Sequence, residues 1–305
     1  MIALRLVLAL SVAAAALAQV PKKKLSRPPD LANLSYGPHE RNVLDLWKAK
    51  TQRPAPLVIF IHGGGFRAGD KSGLHPALLD LCLEAGISVA AINYRLTHQA
   101  PYPAPMHDGA RAVQFLRSSA KEWNLHPGAF AATGGSAGAG ISLWIGFHDD
   151  IADARSDDPV RRQSTRLSAM GVLGAQTSYD PRVIAELIGP AAARHPALEP
   201  FYALKGEELR TDRAYRLFAD ASPITHLSAG DPPAYLYYAE PHGPLPPDAK
   251  DGQGIHHPRF GTFLKERMDK LGIECITRHR DEYSGDPMPP MYREMVAFFQ
   301  KHFPR

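Results

Sequence analysis

Cysteine is scarce in this chain: two residues, Cys82 and Cys275, among 305. A disulfide-stapled scaffold needs more, and both sit among apolar neighbours, so each is read as a separate buried thiol. Neither stands at a Cys/His spacing that would build a zinc site, so no metal and no organic cofactor is expected. Dense runs of one charge are also missing. Charged residues make up 22% of the chain and the net charge is +4, with Lys22-Lys23-Lys24 the one dense basic run. That spread leaves no electrostatic footprint for nucleic acid. Beyond the N-terminal stretch, no apolar run is long enough to span a bilayer. Internal repeats and low-complexity tracts are absent too, which sets repeat architectures aside.

What is present begins at the N-terminus. Arg5 precedes a mostly apolar stretch, Leu6 to Leu17, closed by Ala16-Leu17-Ala18. A short positive region, an apolar core and a small-residue end describe a secretory signal peptide over 1–18, removed on export to the periplasm or the medium. Residues 19–33 read as a polar, proline-containing linker. A single domain is expected over 34–305, starting with a hairpin from Leu34-Ser35-Tyr36-Gly37 and Val43 to Trp47.

Apolar runs at Leu57 to Ile61 and Ile87 to Tyr94 read as strands buried on both faces, since neither alternates with polar residues. Helical spacing fills 74 to 85 and Asp108 to Trp123. Further strands are expected at Leu167 to Leu173, Ala234 to Tyr238 and Glu274 to Arg278, with helices at Phe260 to Leu271 and Met291 to Phe303. Strands that alternate with helices build a mostly parallel sheet covered on both faces. The segment 180–230 carries helical stretches broken by prolines and is expected to form a cap.

Chemistry concentrates at Thr133-Gly134-Gly135-Ser136-Ala137-Gly138. Gly-x-Ser-x-Gly between an apolar run and a helix forms a strained turn that lifts the serine hydroxyl above the helix N-terminus, where amides favour negative charge. A second glycine cluster, His62-Gly63-Gly64-Gly65-Phe66, follows the Leu57 to Ile61 strand.

With these two motifs, and with Gly69-Asp70-Lys71, Asn93-Tyr94-Arg95-Leu96, Ser222-Pro223 and Pro232-Pro233 in order between them and beyond, the chain resembles the α/β-hydrolase superfamily. The likeness is narrower still to its hormone-sensitive-lipase-like and bacterial feruloyl- and acetyl-esterase-like branch. The resemblance implies an α/β-hydrolase fold with a small cap-like insertion. It also implies a serine esterase acting on small acyl esters, with a small-molecule or carbohydrate ester as substrate. Gly63, Gly64 and Ala137 become the oxyanion donors, His62 braces the glycine loop, and Asp108 belongs to the scaffold.

The base and acid depart from that pattern. A serine hydroxyl needs a base, and the base an orienting carboxylate. The acid slot after the seventh strand falls near His242, and the histidine slot after the eighth falls near Tyr283. The base is therefore sought in Gly254-Ile255-His256-His257-Pro258, and His257 with Glu240 is the assignment carried forward. His256, His242 and His279 stay open as bases, and Asp248 and Asp281 as acids. A chain with no working histidine is the other reading: a catalytically degenerate relative that binds instead of reacting.

Overall fold

The computed structural model describes residues 25–304. The expected signal peptide, 1–18, and the first residues of the linker lie outside them. Among the described residues eight strands form one sheet in the order β1-β2-β4-β3-β5-β6-β7-β8. They are β1 Leu31–Ser35, β2 Val43–Trp47, β3 Ala55–Ile61, β4 Ser88–Ile92, β5 Leu125–Gly135, β6 Ala169–Leu173, β7 Ala234–Tyr238 and β8 Cys275–His279. β1 and β2 run antiparallel to their neighbours, and β4 to β8 are parallel to one another and to β3. Parallel strands cannot be joined by tight turns, so helices cross between them and cover both faces.

The helices are α1 Pro76–Glu84, α2 Ala104–Ser118, α3 Ala137–Phe147, α4 Pro181–Leu187, α5 Pro190–Ala193, α6 Leu198–Tyr202, α7 Asp212–Ala221, α8 Pro223–His226, α9 Arg259–Lys270 and α10 Met288–His302. One face of the sheet packs against α1 and α10 through Leu78, Leu79, Met295 and Phe299. The other packs against α2, α3, α9 and the segment α4 to α8 through Met106, Leu143, Phe260 and Phe218. Every residue of β4 and β7 is buried, as their unbroken apolar runs demand. Full burial of each Leu, Ile or Phe contributes about 1.5–3 kcal/mol.

Two boundaries differ from the sequence expectation. The linker stops before residue 33, because β1 already starts at Leu31. Asn33 takes a positive φ of 54°, the pairing with β2 shifts register there, and its amide donates to Asp45 Oδ1 at 2.8 Å. That irregularity hides the alternation. The second helix spans Ala104–Ser118 instead of Asp108 to Trp123. Pro105 lies in its first turn, where a missing N–H costs nothing. Trp123 lies past its end and packs edge-on against Phe115. Cys82 and Cys275 are both buried and unbridged.

Candidate active site

β5 ends in the sharp turn that carries Ser136 into α3. Ser136 has φ 53° and ψ −119°, a strained conformation for any residue with a Cβ. Its amide is tied to the Leu173 carbonyl at 2.9 Å. The turn closes only because Gly138 presses on β3: a Cβ there would sit 2.0 Å from the Ile61 carbonyl oxygen. Ala137 is the first residue of α3, so its amide has no acceptor inside the helix.

The glycine loop leaves β3 beside this turn. An ideal Cβ on Gly63 would lie 3.5 Å from Ser136 Cβ, so the Gly63 backbone is pressed against the serine. Gly64 has φ +113°, and a Cβ on it would lie 2.2 Å from the Ala68 carbonyl oxygen. Behind the loop, His62 Nδ1 is 2.8 Å from the Gly63 carbonyl oxygen, while Arg41 Nη2 stands 3.1 Å from His62 Nε2. A carbonyl only accepts and a guanidinium only donates, so the proton is on Nδ1. Burial pushes the pKa of His62 down to about 4 and keeps the ring neutral. His62 stacks on Tyr94 with centroids 4.3 Å apart, and the Tyr94 hydroxyl donates to the His62 carbonyl at 3.0 Å. This ring braces the loop. Asp108 is scaffold: its buried carboxylate pairs with the Arg95 guanidinium at 2.6 Å and accepts the Arg95 amide at 2.9 Å.

The imidazole against Ser136 belongs to His256, not His257. His256 Nε2 is 2.8 Å from Ser136 Oγ, and His256 Nδ1 is 3.3 Å from Glu240 Oε1. Both partners are about one-third exposed, at 37% and 32%, so water reaches the pair. His257 is buried and turned away. Its Nε2 donates to the Gly243 carbonyl at 2.9 Å, and its Nδ1 accepts the Arg259 amide at 3.1 Å, capping the start of α9. A turn at Gly254, with φ +82°, and the α9 start together send consecutive side chains in opposite directions.

The remaining candidates fall elsewhere. His279 Nε2 donates to the Glu240 backbone carbonyl at 2.9 Å, so it holds the Glu240 backbone and does not face the serine. His242 is exposed, with its ring centroid 3.9 Å from that of His279. Asp281 is exposed and lies 3.2 Å from His279 Nδ1. Asp248 sits in an exposed turn, with no contact to His256 among the described residues.

Gln176 went unnoticed in the sequence. Its side-chain amide donates to the Ile255 and Gly174 carbonyls, at 2.9 and 3.0 Å, and anchors the turn next to His256. A lone glutamine after a strand gives no local signal of that task. Two cavities meet at Ser136 and His256. One, of about 440 Å³, lies under the 180–230 segment and is lined by Phe66, Tyr179, Ile184, Leu198, Phe201 and Ile255 among others. The second, of about 590 Å³, opens past Glu240, Tyr237 and Tyr292.

The BD-FAE family model matches residues 44–243. Among relatives, the chain is 28% identical over 214 residues to a probable carboxylic ester hydrolase, LipM, of Mycobacterium tuberculosis, covering 68% of this chain and 46% of that protein. It is 27% identical over 259 residues to the probable isoprenylcysteine alpha-carbonyl methylesterase ICMEL1 of Arabidopsis thaliana, covering 84% and 52%. The chain thus spans about half the length of these relatives. Among solved structures, a truncated carbohydrate esterase from gut microbiota superposes with TM-score 0.68 at 19% identity, over 89% of this chain and 95% of that one. A bacterial heroin esterase gives TM-score 0.64 at 18% identity, over 90% and 84%. At such identities the two structures speak to the fold, which is that of the α/β-hydrolases.

Proposed function

Because this chain belongs to the BD-FAE family, we propose that it is a serine hydrolase of the carboxylesterase type, acting on esters of small acyl groups. The observation that carries the reading is the Ser136–His256 hydrogen bond of 2.8 Å with Glu240 on the other ring nitrogen. The degenerate alternative requires that no imidazole reach the serine, and one does.

The chemistry follows from which atoms hold protons. Glu240, as carboxylate, accepts from His256 Nδ1–H and leaves Nε2 with its lone pair. Ser136 gives its proton to Nε2 as Oγ attacks the ester carbonyl. Negative charge builds on the former carbonyl oxygen, and the amides of Gly63, Gly64 and Ala137 receive it, the neutral ring of His62 holding that loop in shape. Each such donor is worth about 3 kcal/mol to the transition state. His256 then returns the proton to the departing alcohol, and water releases the acyl group by the same path. The two cavities give each side of the ester its own space.

The names of relatives extend the reading to its finer parts. A carbohydrate esterase among the structural neighbours supports an acyl group carried on a sugar. Export rests on the apolar stretch and small-residue end within 1–18, and is checked by finding the mature protein outside the cytoplasm, starting near Gln19.

Turnover of p-nitrophenyl acetate tests the core of the reading. Ser136→Ala and His256→Ala should each lower kcat on the order of 10⁴–10⁶-fold. His257→Ala should retain most turnover per folded molecule while unfolding at lower urea. Equal rates for wild type and Ser136→Ala leave the reading without support, and loss of turnover with His257→Ala but not His256→Ala overturns the assignment of the base.

A further inference from the structure

Away from Ser136, the far end of α3 meets the end of the cap segment. His148 follows α3, Asp220 lies in the last turn of α7 and His226 ends α8. One ligand atom from each lies within 4.8 Å of the other two. The rings of His148 and His226 stand 4.6 Å apart, and the Trp144 indole lies 4.2 Å from His148.

Each of the three also has a polar atom held by a neighbour. His148 Nδ1 is 2.9 Å from the Asp149 carbonyl oxygen; the carbonyl can only accept, so Nδ1 donates and Nε2 is the nitrogen left for another partner. His226 Nε2 donates to the Asp220 carbonyl at 2.7 Å, which leaves Nδ1 for another partner. Asp220 Oδ2 accepts the Tyr102 hydroxyl, which leaves Oδ1. The Asp220 carbonyl is held as well, by Trp144 Nε1 at 2.9 Å. Imidazoles anchored through one nitrogen by backbone carbonyls, beside a carboxylate anchored by a hydroxyl, are what metal ligands look like one shell out. His107 stands close by, its ring 5.9 Å from Trp144.

We propose that His148, Asp220 and His226 bind one divalent first-row metal ion, Zn²⁺ by preference, which clamps the cap segment to the helix that carries the nucleophile. Two nitrogens and one oxygen without a thiolate suit zinc, with a fourth position left for water. Zinc lies ~2.0–2.2 Å from such donors, so ligand atoms sharing it fall within about 4 Å of each other. Side-chain rotations that move donors by about 1 Å close the site. The cluster of His242, His279 and Asp281 is the weaker candidate. There both nitrogens of His279 are already committed, Nε2 to the Glu240 carbonyl and Nδ1 to the Asp281 amide.

The test is zinc titration by calorimetry of the tag-free full-length protein, first stripped with chelator, alongside thermal melts with and without ZnCl₂. One equivalent should bind and Tm should rise with zinc concentration. His148→Gln and His226→Gln should each abolish uptake and the rise, while melting like stripped wild type and keeping p-nitrophenyl acetate turnover. Tyr102→Phe, which reaches the ion only through Asp220, should weaken binding about 10- to 100-fold. His242→Gln should change nothing. Absence of uptake by wild type, full uptake by His226→Gln, or loss of uptake in His242→Gln overturns the proposal. If one histidine variant fails to fold, the other decides.

Discussion

Ser136 and Phe66 both hold a backbone conformation that only glycine adopts freely, with φ 53° and 60°. Each such residue costs on the order of 1–3 kcal/mol, held only because its surroundings leave no other choice. For Ser136 the surroundings are two crowded glycines, and the crowding extends one helical turn further. A Cβ on Gly140 would fall 1.8 Å from the Tyr179 hydroxyl, a buried group with no hydrogen-bond partner among the described residues. Gly140→Ala should therefore lower stability by about 1–3 kcal/mol and reduce kcat by displacing the first turn of α3, both read from urea titration and ester turnover. The acid is less confined. Glu240→Gln should cost up to about 10⁴-fold in kcat, toward the low end because water can stand in at a carboxylate that is one-third exposed. A rate loss beyond that, with KM unchanged, would show the pair closes more tightly in the substrate complex. At this scale the serine was legible because glycine spacing reports a turn. The choice between His256 and His257 was not, because it depends on which of two adjacent side chains the Gly254 turn aims inward. One clue was there: the residue before Pro258 is well placed to cap α9, and His257 does so.

The 180–230 segment shows how an element can matter to a site without touching the reacting atoms. Phe201 on α6 stacks on Phe66 with centroids 4.4 Å apart, and Tyr102 and Tyr179 close around it at 5.4 and 5.5 Å. The segment thus holds the strained end of the glycine loop. Phe201→Ala should cost about 3–5 kcal/mol, and the surviving folded fraction should turn over ester more slowly than wild type. Unchanged kcat per folded molecule, with active sites counted by a covalent serine titrant, would separate this segment from the loop. The sheet elements were readable from their unbroken apolar runs. The 180–230 segment was readable only as a stretch of broken helices, since α5, α6 and α8 are each too short for a helical period to register and owe their form to packing.

At the level of the whole molecule, stability should carry a signature of the buried imidazole under the loop. The folded-state pKa of His62, about 4, lies below the value near 6.5 of an unfolded histidine. Between those two values the unfolded chain binds the proton and the folded chain does not. The contribution is complete above about pH 6.5, is lost as pH falls towards 4, and is flat below; its size is on the order of 3 kcal/mol. Urea midpoints measured from pH 7.5 down to 4.5 should fall for wild type and fall less for His62→Gln. An identical slope in the two proteins would place the proton uptake on other groups, among them His107, His195 and His302, whose pKa values burial also lowers.

Ser136 and the glycine loop follow β5 and β3, whereas Glu240 and His256 ride on a single connection between β7 and α9. Downstream of that strap, β8 lends one supporting ring, and α10 lends Tyr292 to the wall of the second cavity. A tail fused after α10 should leave the reaction untouched. A single scission in the exposed stretch near 244–248 should have the reverse effect, unhooking Glu240 from His256 in one event and silencing the serine, as ester turnover before and after limited proteolysis would show.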